Sequence, residues 1–260
     1  MSLLGFDTSL VATSACVVRG DGKAFCTPPP LPARLFEGAA HSHELLPELE
    51  RLIAESQTSW EEVESIAVGI GPGTFTGLRI GVATARALGQ ALGVGLRPVS
   101  SLEALAVAAG GESDAASGHL VLSLIDARRR QVFAALYRFT RRRELLSGID
   151  PGDGSALDRI WEPFVVEPWE LLQRLKELDP APVCVGDWAI KSRRQLEDAG
   201  ASVPPSGSGL HAVSALHLCK LAIGVKPVVP EVVYPIYLRL PDAEISRRLA
   251  RKQPDDTDGR

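Results

Sequence analysis

The stretch AVGIGPGTFTGLRIGVATARALGQAL, Ala67–Leu92, decides how the rest of the chain is read. It opens as an apolar run that fits a buried strand, breaks at Gly71-Pro72-Gly73, and resumes as a helix with almost no polar face. Gly77, Gly81, Ala85 and Gly89 recur every four residues and therefore share one side of that helix. Each glycine costs a helix roughly 1 kcal/mol against alanine, so the strip calls for a compensating close approach of another backbone. The expectation is a helix packed from two sides, by its own domain and by a partner chain.

Outward from this stretch, 260 residues with 45% hydrophobic content allow one large domain or two modest ones with a sizeable core. A net charge of −4 argues against a protein that holds nucleic acid by bulk charge. Arg128–Arg130 and Arg141–Arg143 read as solvated faces. Cys16, Cys26, Cys184 and Cys219 have neither zinc-knuckle nor disulfide-framework spacing, which predicts four reduced thiols in a cytoplasmic protein. No basic region precedes the first apolar run, which Asp7 interrupts, so no signal peptide is expected. Arg79 and Arg86 exclude the long helix as a membrane span.

The pattern predicts strands at Leu3–Phe6 and Val11–Val18, a weak third at Ala33–Phe36, and a helix opening at His41 with Ser42 as its cap. Leu45, Leu49, Leu52 and Ile53 give that helix its apolar stripe. Strand Val63–Ile70, the long helix, strand Val94–Val99 and a helix over Leu102–Ala109 follow. After a small, polar junction at Gly110–Gly118 the order repeats. Strands His119–Ile125, Val132–Phe139 and Trp161–Val166 lead to helix Pro168–Leu178 and strand Val183–Val185. Helix Lys191–Ala199, strand Ala201–Val203 and helix His211–Ile223 complete the repeat. The domain expectation is residues 1–110, residues 111–240 with an insertion at 141–160, and a disordered tail at 241–260. The last helix is expected to pack back on the first half.

Two similar halves of the order βββαβαβα resemble the α/β actin, sugar-kinase and heat-shock ATPase (ASKHA) superfold, although fold alone does not settle function. In that superfold one turn per half faces nucleotide phosphate. Asp7-Thr8-Ser9 and Asp126-Ala127-Arg128 occupy those turns, and Gly71, Gly73 and Thr74 precede a helix N-terminus that could hold an anion. The plain alternative is that Asp, Ser and Thr bond their own turn amides. His41 and His43 lie too far from other ligand types to suggest a metal, and no nucleophile sits beside an identifiable base.

The chain resembles the TsaB (YeaZ) family, whose members partner the enzyme that places a threonylcarbamoyl group on adenosine 37 of tRNA. The likeness rests on Leu4–Ser9, His41-Ser42 with Leu45-Leu46-Pro47, Asp126-Ala127-Arg128, Pro235–Arg239 and, most specifically, Gly69–Gly81. Gln131 and Phe133 depart from the Glu and Tyr usual there. The catalytic paralogue, TsaD, carries V-N-H-x-x-G-H after its fifth strand, with both histidines on a metal. Here Ser101 and Leu105 stand at those positions, and leucine cannot ligate.

The resemblance implies a non-catalytic scaffold that binds and activates TsaD as a heterodimer, with TsaE as a third component and a homodimer when alone. Leu45, Leu49, Gly77, Leu78, Gly81, Val82, Ala85, Arg86 and Gly89 are its expected interface. Asp7, Thr8, Ser9, Gly71, Gly73, Thr74 and Asp126 would be a vestigial nucleotide site. No cofactor or metal of its own is expected, ATP or ADP at a subunit junction is left open, tRNA is touched only indirectly, and no membrane is involved. A kinase-like enzyme using Asp7 and Asp126 around magnesium-ATP is the alternative, and a metallopeptidase the more distant one.

Overall fold

The computed structural model describes residues 2–38, 40–112, 118–139 and 157–239 and contains two mixed sheets. The first holds β1 (Ser2–Asp7), β2 (Ser14–Val18), β3 (Ala24–Cys26), β4 (Val63–Gly69) and β5 (Gly95–Val99) in the order β3-β2-β1-β4-β5. β1 runs antiparallel to β2 and parallel to β4, which is parallel to β5. The second holds β6 (Leu120–Arg128), β7 (Gln131–Phe139), β8 (Leu157–Val166) and β9 (Val183–Val185) in the order β8-β7-β6-β9. Its strand directions copy the first: β6 is antiparallel to β7 and parallel to β9.

The helices are α1 (His41–Glu55), α2 (Phe75–Leu92), α3 (Ser101–Glu112), α4 (Pro168–Leu175), α5 (Asp187–Lys191), α6 (Arg193–Asp198) and α7 (Ala215–Ile223). Side-chain alternation places them. Leu4, Phe6, Ile66 and Val68 project from the first sheet into one core with Leu45, Leu49 and Val82 of α1 and α2. Leu120, Leu122 and Leu124 project the other way from the second sheet, onto Leu171 and Leu175 of α4 and Leu196 of α6. Between the sheets, Val121 and Ile125 share a third core with Leu102 and Leu105 of α3 and Leu218 and Cys219 of α7. Strands covered on both faces read as nearly continuous apolar runs, as β6 does.

Several expectations are corrected. The third strand is Ala24–Cys26, because a tight turn, closed by Arg19 N–H to the Lys23 carbonyl at 2.8 Å, returns the chain at once onto β2. Ala33–Phe36 lies instead in a 3-10 turn over Pro32–Phe36, whose first proline presets helical φ. The same hairpin register sets Cys16 opposite Cys26, Cα atoms 4.0 Å apart, and they form a disulfide. A spacing read along the chain could not reveal that register. Cys184 and Cys219 are free and buried.

Helix α1 begins at His41, with Ala40 rather than Ser42 in the cap position, because the buried imidazole is bonded back to the β1–β2 connection. The strand expected at 201–203 is one bridge, Val183 to Ser202, since Pro204-Pro205 offers no further N–H groups to a ladder. Helix 191–199 divides into α5 and α6, and helix 211–223 into a 3-10 turn, Gly209–His211, and α7. Helix α3 continues into the expected junction, to Glu112. Most of the 141–160 insertion and all of the 241–260 tail lie outside the described residues. Among the described residues no helix is long and apolar enough to cross a membrane.

Candidate functional site

Three of the segments singled out above converge where β1, β4 and β5 end. The carboxylate of Asp7, fully enclosed, accepts from Ser9 N–H at 2.7 Å, Ser9 Oγ at 2.5 Å and Ser101 Oγ at 2.7 Å. A Cβ at position 69 would overlap that carboxylate, which is why β4 ends in Gly69. Thr74 N–H donates to the Ser9 carbonyl at 2.7 Å, Thr8 Oγ1 to the Gly77 carbonyl at 2.7 Å, and Ser101 N–H to the Gly71 carbonyl at 2.9 Å. The Asp7 turn, the glycine turn and the start of α3 are thus tied into one knot. One polar group within it, the Thr74 hydroxyl, is buried without a partner.

Burial pushes the Asp7 carboxyl above its ordinary range, against the hydrogen bonds from Ser9 and Ser101 that favour its charge. Nearby, His41 Nε2 meets the Leu10 carbonyl at 2.8 Å, which requires the proton on Nε2, so Nδ1 accepts from Thr13 Oγ1 at 2.7 Å. Burial lowers the pKa of this imidazole, in keeping with a neutral ring. His43 instead lines an open groove of about 750 Å³ between α1 and Pro28–Pro30, with Arg34, Glu44, Glu48 and Arg51.

Of the expected nucleotide residues, Asp7, Thr8, Ser9, Gly71, Gly73 and Thr74 are brought together, with their polar groups largely engaged by one another. Asp126 belongs to the second sheet. There its Oδ1 accepts from Arg128 N–H at 2.9 Å and its Oδ2 meets Lys191 Nζ at 2.5 Å. Its own N–H donates to Asp187 Oδ1 at 3.0 Å. Asp187, buried at the start of α5, has its pKa pushed up to about 6 by desolvation. Sequence reasoning passed over this carboxylate, although the apolar run Val183–Val185 closing on Gly186-Asp187 was a signal that a strand end delivers it.

Ser101 is spent on Asp7, and Leu105 is wholly buried in the core between the sheets. Among the described residues no three His, Cys, Asp or Glu side chains gather as a metal would require.

The expected interface residues lie on the inner side of their helices. Leu45, Leu49, Gly77, Leu78, Gly81, Val82, Ala85 and Gly89 are all buried within this chain. The glycine strip is explained internally: a Cβ at Gly77 or Gly81 would strike Thr8, and one at Gly89 would crowd Pro230 and Leu96. Arg86 is half-buried, its guanidinium 5.2 Å from the Tyr234 ring. The opposite side of α2 is the free one, where Thr76, Ala83, Ala87 and Ala91 are exposed at helical spacing, and Leu46 is exposed on α1. A strap over 227–239 runs beside α2, through Val228 to Leu96, Glu231 to Gln90 and Tyr237 to Arg79.

Two mixed sheets of matching topology, with helices outside and between them, define an α/β protein of the ASKHA-like class. Known proteins narrow the class. A family profile described as TsaD, tRNA N6-adenosine threonylcarbamoyltransferase, matches residues 37–158. The tRNA threonylcarbamoyladenosine biosynthesis protein TsaB of Bacillus subtilis is 30% identical over 210 residues, 78% of this chain and 82% of that protein. An uncharacterised protein of Mycobacterium leprae is 37% identical over 137 residues, 52% of this chain; the chain spans 35% of its length and 59% of that of the Mycobacterium bovis relative. A Pseudomonas aeruginosa crystal structure, described as similar to peptidase YEAZ, superposes with a TM-score of 0.71 at 25% identity, covering 92% of this chain and 99% of its own. The chain belongs to the TsaB/YeaZ family.

Proposed function

We propose that this chain is a non-catalytic docking subunit in tRNA threonylcarbamoyladenosine synthesis, binding and activating a TsaD-type paralogue in the cytoplasm. The observation that carries the reading is the Asp7 knot. Where the resemblance puts a metal-bearing centre in the paralogue, Ser101 donates to Asp7 and Leu105 fills the core, so neither offers a ligand. The kinase-like alternative has less support, because the Asp7 oxygens it would turn to magnesium are taken by Ser9 and Ser101.

The half spanning residues 1–110 would carry the docking surface. Its contact residues are the outer ones, Thr76, Ala83, Ala87 and Ala91 of α2 with Leu46 of α1, rather than the inward strip. Small side chains there let a facing helix come close. The same face would pair two copies when no paralogue is present, and a TsaE-type ATPase would join the heterodimer.

Co-purification with a tagged TsaD-type paralogue tests the assignment. Ala83→Arg with Ala87→Arg should abolish capture while thermal melting stays within a few degrees of the parent. Undiminished capture by that variant would refute the docking face.

A further inference from the structure

We propose that the β6–β7 turn, with the strap and the start of α2 beside it, is a surface for the sugar–phosphate backbone of RNA. The choice of polyanion rests on the function proposed above; the location on this chain does not.

Arg128, Arg129 and Arg130 stand consecutively at φ 62°, 47° and 59°. In that left-handed region a Cβ crowds the following carbonyl, and residues persist there only where their surroundings fix them. The bracing comes from three elements: Asp126 Oδ1 takes Arg128 N–H at 2.9 Å, Asp187 takes Asp126 N–H at 3.0 Å, and Arg239 donates to the Ala127 carbonyl at 2.5 Å. Asparagine or glycine would occupy the turn with less strain. The chain instead places three exposed arginines there, the Arg128 side chain 58% accessible with its Nη1 3.6 Å from Asp126 Oδ2.

Further cations adjoin them. Lys191 reaches Asp126 from α5, and the strap links Arg239, at the turn, to Tyr237, whose hydroxyl accepts from Arg79 Nε at 3.2 Å. A net charge of −4 makes this a local concentration rather than general basicity. Exposed rings lie among the cations: Tyr237 packs 5.1 Å from Phe75, under Arg79, and Phe36 lies 5.5 Å from Lys191 Nζ. Cations interleaved with exposed rings suit a phosphate backbone whose unpaired bases stack. The groups are spread along an exposed turn and the strap beside it, which fits a long polyanion better than a mononucleotide.

The test is fluorescence anisotropy of a labelled, unmodified tRNA transcript with the full chain, alone and bound to its paralogue, from about 50 to 200 mM salt. Arg129→Asn with Arg130→Asn should weaken binding about tenfold or more and flatten the log–log salt slope by about 1 to 2. Arg129→Lys with Arg130→Lys should keep most of the affinity, and Arg174→Asn on α4 should change nothing. Arg79→Gln, on a separate element, should weaken binding about threefold, so the result does not depend on the turn's folding. The proposal is overturned if the asparagine pair binds the transcript like the parent, or if neither form of the chain shows salt-dependent binding. It is equally overturned if ATP binding, and not RNA binding, follows these substitutions. Loss of paralogue capture with RNA binding intact would sink the docking reading alone.

Discussion

The turns at Asp7 and Asp126 occupy the same place in the two sheets, at the end of the first strand of an antiparallel hairpin. Each carboxylate takes the N–H two residues on, from Ser9 at 2.7 Å and from Arg128 at 2.9 Å. The second oxygen makes the difference. Asp7 receives a neutral hydroxyl, Ser101 at the start of α3, and is sealed; Asp126 Oδ2 meets the cations of Lys191 and Arg128 and is only partly buried, beneath exposed arginines. One fold unit thus yields a closed structural knot in one half and an open, charged turn in the other. The choice is made by the few residues that meet the carboxylate, not by topology.

Breaking the closed turn should have the largest effect. Gly81→Leu drives a side chain into Thr8 and should cost about 4 kcal/mol in urea unfolding, so the helix strip reports on folding before it reports on any partner. Next comes the carboxylate behind the open turn. Burial raises the Asp187 pKa from 3.8 to about 6, so the folded chain holds that proton more tightly than the unfolded one. Its contribution is complete below pH 3.8 and is lost as pH rises through about 6, a decline of up to about 3 kcal/mol. Asp187→Asn keeps an acceptor for Asp126 N–H and should remove that slope from unfolding curves taken at pH 4 to 7.

The sharpest contrast pairs two single substitutions. Ser101→Ala leaves a buried carboxylate oxygen without its donor and should cost about 2 kcal/mol. Lys191→Met breaks an ion pair whose lysine side chain is 37% exposed and should cost less than about 1 kcal/mol. Equal losses would mean that the two turns are braced alike. The smallest effect is expected from Arg129→Asn with Arg130→Asn, which relieves left-handed strain and should hold stability level or raise it by about 0.5 kcal/mol.

The sequence carried the strand and helix order where an element has a clear period, as in the Leu45, Leu49, Leu52 stripe, the apolar run of β6 and the glycine break before α2, but not at the short third strand or at residues 201–203. It also brought Asp7, the glycine turn and Ser101 under notice, though not their mutual bonds. What it could not carry was facing. Both long sides of α2 are small or apolar, so Gly77 and Gly81 looked like a partner surface, whereas Thr8 fills that space. Register was equally hidden: the Cys16–Cys26 bond and the seating of Tyr237 against Phe75 join residues whose separation along the chain says nothing of contact. Asp187 escaped because a buried carboxylate is recognised by what covers it.

The most direct measurement is threonylcarbamoyl transfer to tRNA by a TsaD-type paralogue with its other components, run with and without this chain. The account predicts that modification requires the chain, that the chain alone modifies nothing, and that Ala83→Arg with Ala87→Arg fails to support the reaction. Modification by this chain in the absence of the paralogue, or full activity of the paralogue without it, would contradict the account.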